Sequence, residues 1–128
     1  MDEWVRQAGV AAVRGGKVCL VTSRTRGRWV IPKGVIDPGR SAGEAALIEA
    51  WEEAGLAGTL APEPLGSYLY EKWGAVCHVV VFRMRVTEVR DRWPEHAERQ
   101  RCWLPPAEAA EHVEEEDLRA ILRALEGG

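Results

Sequence analysis

The chain has 128 residues, of which 46% are hydrophobic and 29% charged, with a formal net charge of −3. That balance is one of a soluble globular domain long enough to bury a core, and it excludes a strongly basic nucleic-acid binder. No run approaches the roughly 18 apolar residues of a membrane span. Met1-Asp2-Glu3-Trp4 lacks the basic and apolar regions of a signal peptide. The expectation is one cytoplasmic domain over residues 1–128, monomer or homodimer. Cys19, Cys77 and Cys102 are odd in number, far apart and free of any CxxC spacing. They read as buried or half-buried thiols rather than a zinc site or disulfide framework.

In chain order, Trp4 to Val13 predicts a strand, Gly15-Gly16 a turn and Lys17 to Ser23 the hairpin partner, with Val18, Leu20 and Thr22 alternating against Cys19 and Val21. Trp29-Val30-Ile31 predicts a short strand stopped by Pro32. Pro32 to Arg40, with two prolines and two glycines, predicts a shaped loop. Ser41-Ala42-Gly43-Glu44 is a capping box opening a helix to about Ala54, and Gly55 supplies its stop. Ala57 to Ala61 predicts a strand. Leu65 to Lys72 and Ala75 to Val86 predict a hairpin around Trp73-Gly74, and Arg101 to Leu104 a last strand. Pro105-Pro106 opens a short helix through His112, and Glu115 to Leu125 predicts a final helix with Leu118, Ile121, Leu122 and Leu125 as its apolar stripe. The alternation predicts an α/β (α+β) domain, a mixed sheet covered by helices on both sides.

The middle helix carries the first chemical signal. At about 100° per residue, Glu49, Glu52 and Glu53 fall within a sector of roughly 100°, and Leu47, Ala50, Trp51 and Ala54 fall opposite. Three carboxylates side by side repel: a pair about 5 Å apart costs about 3 kcal/mol at an effective dielectric near 20. Residues 41–54 hold four glutamates and no base. A hard divalent cation such as magnesium relieves that repulsion, since it takes oxygen ligands and is shared with substrate phosphates. The plain alternative is a solvated acidic face. The shaped loop before the helix and Gly55 after it are more than such a face requires.

The preceding segment is basic. Arg24, Arg26, Arg28, Lys33 and Arg40 face only Asp37. Carboxylates that hold metal beside bases that hold the remaining phosphate oxygens make a polyphosphate site. Lys33, between Pro32 and Gly34, is the foremost candidate of this strip, and Gly34 is counted with it. Surface charge on a hairpin loop is the alternative. His78, on a strand face with Val76, Val80, Phe82 and Met84, reads as a packed histidine rather than a base. Trp73, at a hairpin tip, is the best-placed tryptophan for stacking a nucleobase.

The segment from Gly34 to Leu56, with Glu49, Glu52, Glu53 and Gly55 at their spacings, resembles a Nudix box, G-x5-E-x7-R-E-U-x-E-E-x-G-U with U aliphatic. Trp29-Val30-Ile31-Pro32-Lys33-Gly34 extends the likeness toward the diphosphoinositol polyphosphate and diadenosine polyphosphate hydrolases. Two positions depart: the first box glutamate is Arg40 and the box arginine is Ile48. Glu44 lies about 140° around the helix from Glu49, and its capping role already accounts for it.

The resemblance implies a Nudix-like α/β/α sandwich with a mixed central sheet. It also implies magnesium or manganese on Glu49 and Glu53, completed by Glu52, with a backbone carbonyl near Lys33 as a further ligand. A later loop often adds an acid, and Glu98 is the candidate. The function implied is metal-dependent hydrolysis of a phosphoanhydride bond in a nucleoside polyphosphate, a dinucleoside polyphosphate or an inositol pyrophosphate. Two rivals stand beside it: a catalytically weak module that binds or senses a nucleotide or polyphosphate, motivated by Arg40 and Ile48, and an RNA 5′-end hydrolase, which needs a longer basic surface.

Overall fold

A computed structural model describes residues 4–25 and 27–125. Its elements are β1 (Val5–Arg14), β2 (Lys17–Thr22), β3 (Trp29–Val30), β4 (Lys33–Val35), α1 (Ala42–Ala54), β5 (Leu56–Leu60), β6 (Gly66–Lys72), β7 (Ala75–Val89), β8 (Arg101–Leu104), α2 (Pro106–His112) and α3 (Glu116–Ala124).

The sheet grows around β1 and β7, which run parallel from Val5 opposite Cys77 to Val13 opposite Arg85. Residues 7–12 of β1 are all buried, as befits a central strand covered on both faces. Along the free edge of β1, β4 pairs with its first half and β2 with its end, both antiparallel. Beyond β2 lie β3 and β8. The outer edge of β7 takes β6 along its first half and β5 along its second. The sheet is therefore mixed.

The period of two in β7 separates two cores. Cys77, Val79 and Val81 join Leu118, Leu122, Ala109 and Ala110 beneath α2 and α3. Phe82, Met84 and Val86 join Ala45, Ala46, Ala50 and Ala54 beneath α1. This is the expected α/β/α layering. The hairpins at Gly15-Gly16 and Trp73-Gly74 close with positive φ at both central residues, the primed turn that matches strand twist.

Three expectations change. Lys33–Val35, read as loop, is strand β4: Gln7 faces Val35 and Gly9 faces Lys33. Three residues between prolines show no periodicity, so only the partner strand reveals them. The last hairpin strand extends to Val89 because β5 pairs with its end, Leu56 opposite Val89. Leu47, assigned to the core face of α1, is 37% exposed, while Glu53 is buried at 8%. Ala50 and Ala54 of the same expected face are fully buried, so the helix is seated on its alanines with Leu47 at the margin.

His78 is half-buried and stacks on Trp4, with ring centroids 5.1 Å apart. The three cysteines are free thiols. Among the described residues no helix is long and apolar enough to cross a membrane.

Leu118→Ala empties a fully buried site beneath the sheet and is expected to cost about 2–5 kcal/mol. Leu47→Ala is expected to stay within about 0.5 kcal/mol of wild type. Urea denaturation of both variants checks the pair; equal losses would contradict the observed seating of α1.

Candidate active site

Helix α1 is set by its ends. The Ser41 hydroxyl accepts the Glu44 N–H at 3.1 Å, and the Glu44 carboxylate accepts the Ser41 N–H at 2.8 Å. That bond and the neighbouring Arg40 hold the Glu44 carboxyl below its ordinary range. At the other end Gly55 adopts the left-handed conformation and donates to Trp51 O. A side chain there would also press into Trp93.

The β7–β8 loop closes over that end. The Glu95 N–H donates to Glu52 O at 3.0 Å, Trp93 Nε1 to Glu53 O at 2.9 Å, and Arg101 Nη1 to Ala54 O at 2.6 Å. These are carbonyls that the helix cannot satisfy itself. No base lies in the last turn of α1; the Arg101 guanidinium takes that place from outside and stacks over Trp93 at 4.2 Å.

The same loop reaches the carboxylates. Arg99, whose side chain is 7% exposed, donates Nη2 to Glu53 Oε2 at 2.9 Å, Nε to Glu95 Oε1 at 2.7 Å and Nη1 to Thr22 O at 2.8 Å. The other oxygen of Glu53 accepts the Lys33 N–H at 3.1 Å. Burial pushes the Glu53 carboxyl up, and Arg99 and the Lys33 N–H pull it back.

Glu49 has no ion-pair partner among the described residues, and the field of Arg99 relieves it only in part. Burial first, then the fields of Glu53, Glu52 and Glu95, push its carboxyl up to about 7. Its carboxylate packs on Gly34, where any side chain would overlap it. Gly34, expected to touch substrate, thus makes room for Glu49.

The three glutamates do not form a ready-made metal cage: among the described residues, no three His, Cys, Asp or Glu side chains converge so as to hold an ion. Arg99 and the Lys33 N–H engage both oxygens of Glu53. The donor set still suits a hard divalent cation. It is all oxygen, and the half-buried Glu49 has no ion-pair partner among the described residues to offset its like-charged neighbours.

The basic strip divides. Lys33, Gly34, Glu53, Tyr70, Trp73 and Arg99 line a cleft of about 180 Å³ with Arg24 at its side. It adjoins a second hollow of about 230 Å³ lined by Arg28, Lys33, Tyr70, Lys72 and Trp73. Burial pushes the Lys33 amine down despite the nearby Glu53, and its ammonium lies over the Tyr70 ring at 4.6 Å. Arg28 is held by Glu114 at 2.7 Å and Glu115 at 3.2 Å, just before α3. Arg40 is exposed in the turn before α1 and lines neither hollow. Arg26 lies outside the described residues.

Glu98 pairs with Arg24 at 3.3 Å. The later-loop acid whose charge reaches both Glu49 and Glu53 is Glu95. Sequence reasoning passed over Glu95, Arg99, Tyr70 and Lys72. The Glu95–Arg99 spacing of four was a legible local pair; the reach of Arg99 to Glu53 was not.

A raised carboxyl favours the protonated fold. The stability Glu49 contributes is present below about pH 4.5 and lost as pH rises through about 7. In metal-free buffer, Glu49→Gln should therefore be more stable than wild type at pH 8, by roughly 1–2 kcal/mol after solvent screening. The gap should close by about pH 4.5. Denaturation midpoints across that range check this, and a pH-independent gap would contradict it.

Comparison with known proteins follows the same lines. A model of the NUDIX domain matches residues 4–125. The chain is 35% identical to Nudix hydrolase 12, mitochondrial, of Arabidopsis thaliana, across 98% of this chain and 64% of that protein. It is 32% identical to diphosphoinositol polyphosphate phosphohydrolase 3-beta of Bos taurus, across 75% of this chain and 59% of that one. The chain thus spans less than two thirds of the length of these curated relatives. Its fold matches a C. elegans Ap4A hydrolase in a binary complex with a TM-score of 0.82 at 23% identity, covering 96% of each chain. It matches the E. coli ORF135 protein with a TM-score of 0.73 at 21% identity, covering 98% of this chain and 91% of that one. With the domain match running across nearly all of its length and a 35%-identical Nudix relative covering it almost end to end, the chain belongs to the Nudix hydrolase family.

Proposed function

We propose that this chain hydrolyses a phosphoanhydride bond in a nucleoside or dinucleoside polyphosphate, with magnesium or manganese as cofactor. One observation carries the reading: a buried carboxylate, Glu53, lies in a cleft also lined by Lys33, Lys72, Arg24 and the exposed ring of Trp73. A carboxylate of the α1 cluster, bases for phosphate and an aromatic face for a nucleobase meet in one hollow. Trp73 is 87% exposed, more than packing explains. It favours a substrate that carries a nucleobase over one built on an inositol ring.

Glu49, Glu52 and Glu53 would hold the cation, which when bound neutralises the carboxylates, polarises a phosphate oxygen and activates water. Lys33, Lys72 and Arg24 bind phosphate oxygens and orient the chain of phosphates. Water attacks phosphorus, the bond to the bridging oxygen breaks, and the proton of the water passes to a carboxylate oxygen of the cluster. The second reading, a module that binds a polyphosphate without cutting it, draws on Glu53 being held at both oxygens.

The test is a phosphate-release panel with magnesium and with manganese over nucleoside polyphosphates, dinucleoside polyphosphates and inositol pyrophosphates. Wild type should turn over a nucleotide substrate, and Glu53→Gln should lose roughly 10²–10⁴-fold in kcat. Trp73→Ala should raise KM for that substrate by about tenfold, the worth of one lost base stack. If wild type releases nothing while a polyphosphate still raises its Tm, the binding module stands instead. Turnover of inositol pyrophosphates alone would overturn the nucleotide choice.

A further inference from the structure

We infer that Arg99 is the positioning residue of this site: from the β7–β8 loop it holds Glu53 in its working orientation, a task for which α1 supplies no base of its own. The inference rests on the hydrolase reading above.

Each guanidinium nitrogen of Arg99 has a partner on a different segment: Nη2 on Glu53 of α1, Nη1 on Thr22 O at the end of β2, and Nε on Glu95 of its own loop. Its burial at 7% exposure leaves it little freedom to swing away. Among the described residues this is the one ion pair to a glutamate of α1. Position 48, next to Glu49, holds an uncharged Ile. The planar fork gives the carboxylate both a counter-charge and a direction, which a lysine ammonium cannot reproduce. Glu53 thus ties α1 to β4 through the Lys33 N–H and to the β7–β8 loop through Arg99. Arg101, the first residue of β8, bonds only backbone carbonyls, Ala54 O and Arg90 O. It docks the loop without touching a carboxylate.

That contrast provides the experiment, run on the full chain with the nucleotide substrate found in the panel. Arg99→Ala should lower kcat by about 10–100-fold, the usual scale for a supporting partner of a metal or catalytic ligand, with KM within about threefold. Arg99→Lys, which keeps the charge, should fall between and serves if Arg99→Ala does not fold. Arg101→Ala should lose stability yet keep kcat within about threefold. Glu53→Gln/Arg99→Ala should match Glu53→Gln within about twofold, because one residue acts through the other. Equal kcat losses in Arg99→Ala and Arg101→Ala, or additive losses in the double variant, would reduce Arg99 to loop docking.

A second readout needs no turnover. In metal-free protein the Lys33 amide should exchange hydrogen at least about tenfold faster in Arg99→Lys than in wild type, with β7 core amides unchanged. If wild type cuts nothing but this amide responds, the hydrolase reading fails and the positioning stands. If wild type is active and neither kcat nor the amide responds to Arg99, the positioning fails and the hydrolase reading stands.

Discussion

Glu53 is 8% exposed, and an ionised carboxylate at that depth has given up hydration worth several kcal/mol. The site is organised around how that loss is offset. Arg99 brings a full counter-charge and the Lys33 N–H a second donor. Their combined hold spans α1, β4, the end of β2 and the β7–β8 loop. Among the described residues no buried polar side-chain atom is left without a partner, so the network closes on itself. A network that is fully satisfied orients its members sharply, because each alternative orientation strands a buried polar group.

Docking of the β7–β8 loop is what makes this possible. With Arg101 at the start of β8, it takes three carbonyls at the end of α1, from Glu52, Glu53 and Ala54. A helix end lying against protein needs such donors, and the segment that supplies them is thereby placed to deliver Arg99. Gly55 permits the arrangement twice over: it ends the helix at φ 69° and leaves room for the Trp93 ring. Capping and chemistry are thus two results of one packing event.

Glu49 and Glu53 are one helical turn apart yet electrostatically unlike. The protein itself compensates Glu53. Glu49 lies on the backbone of Gly34, and burial with the fields of three other carboxylates pushes its carboxyl up to about 7. The charge it lacks is one that a cation held there would bring. The basic residues divide likewise. Arg28 braces the approach to α3 through Glu114 and Glu115, while Lys33 and Lys72 lie against the aromatic faces of Tyr70 and Trp73 and line the open hollow. Trp73 holds a positive φ of 54°, a conformation costing an ordinary residue about 1–2 kcal/mol. The two-residue hairpin imposes it, and the ring is left facing solvent at the rim.

The residues alone determined the capped helix, the two glycine-containing hairpins, the β-α order and the glutamate spacing, because caps, primed turns and strand alternation are written within a few positions. They also pointed to Glu49, Glu52 and Glu53 as a crowded acidic set beside a basic strip. Only the tertiary structure decided which face of α1 is buried, because Ala45, Ala46 and Ala50 fit against the sheet more closely than Leu47 can. It alone turned Lys33–Val35 into a strand, since the bonds that define it belong to β1. It likewise brought Arg99 across 46 residues to Glu53, kept Glu98 on Arg24 and set Glu95 nearer the cluster. Those choices depend on where a folded loop lands, and a pairing at that separation leaves no local pattern to read.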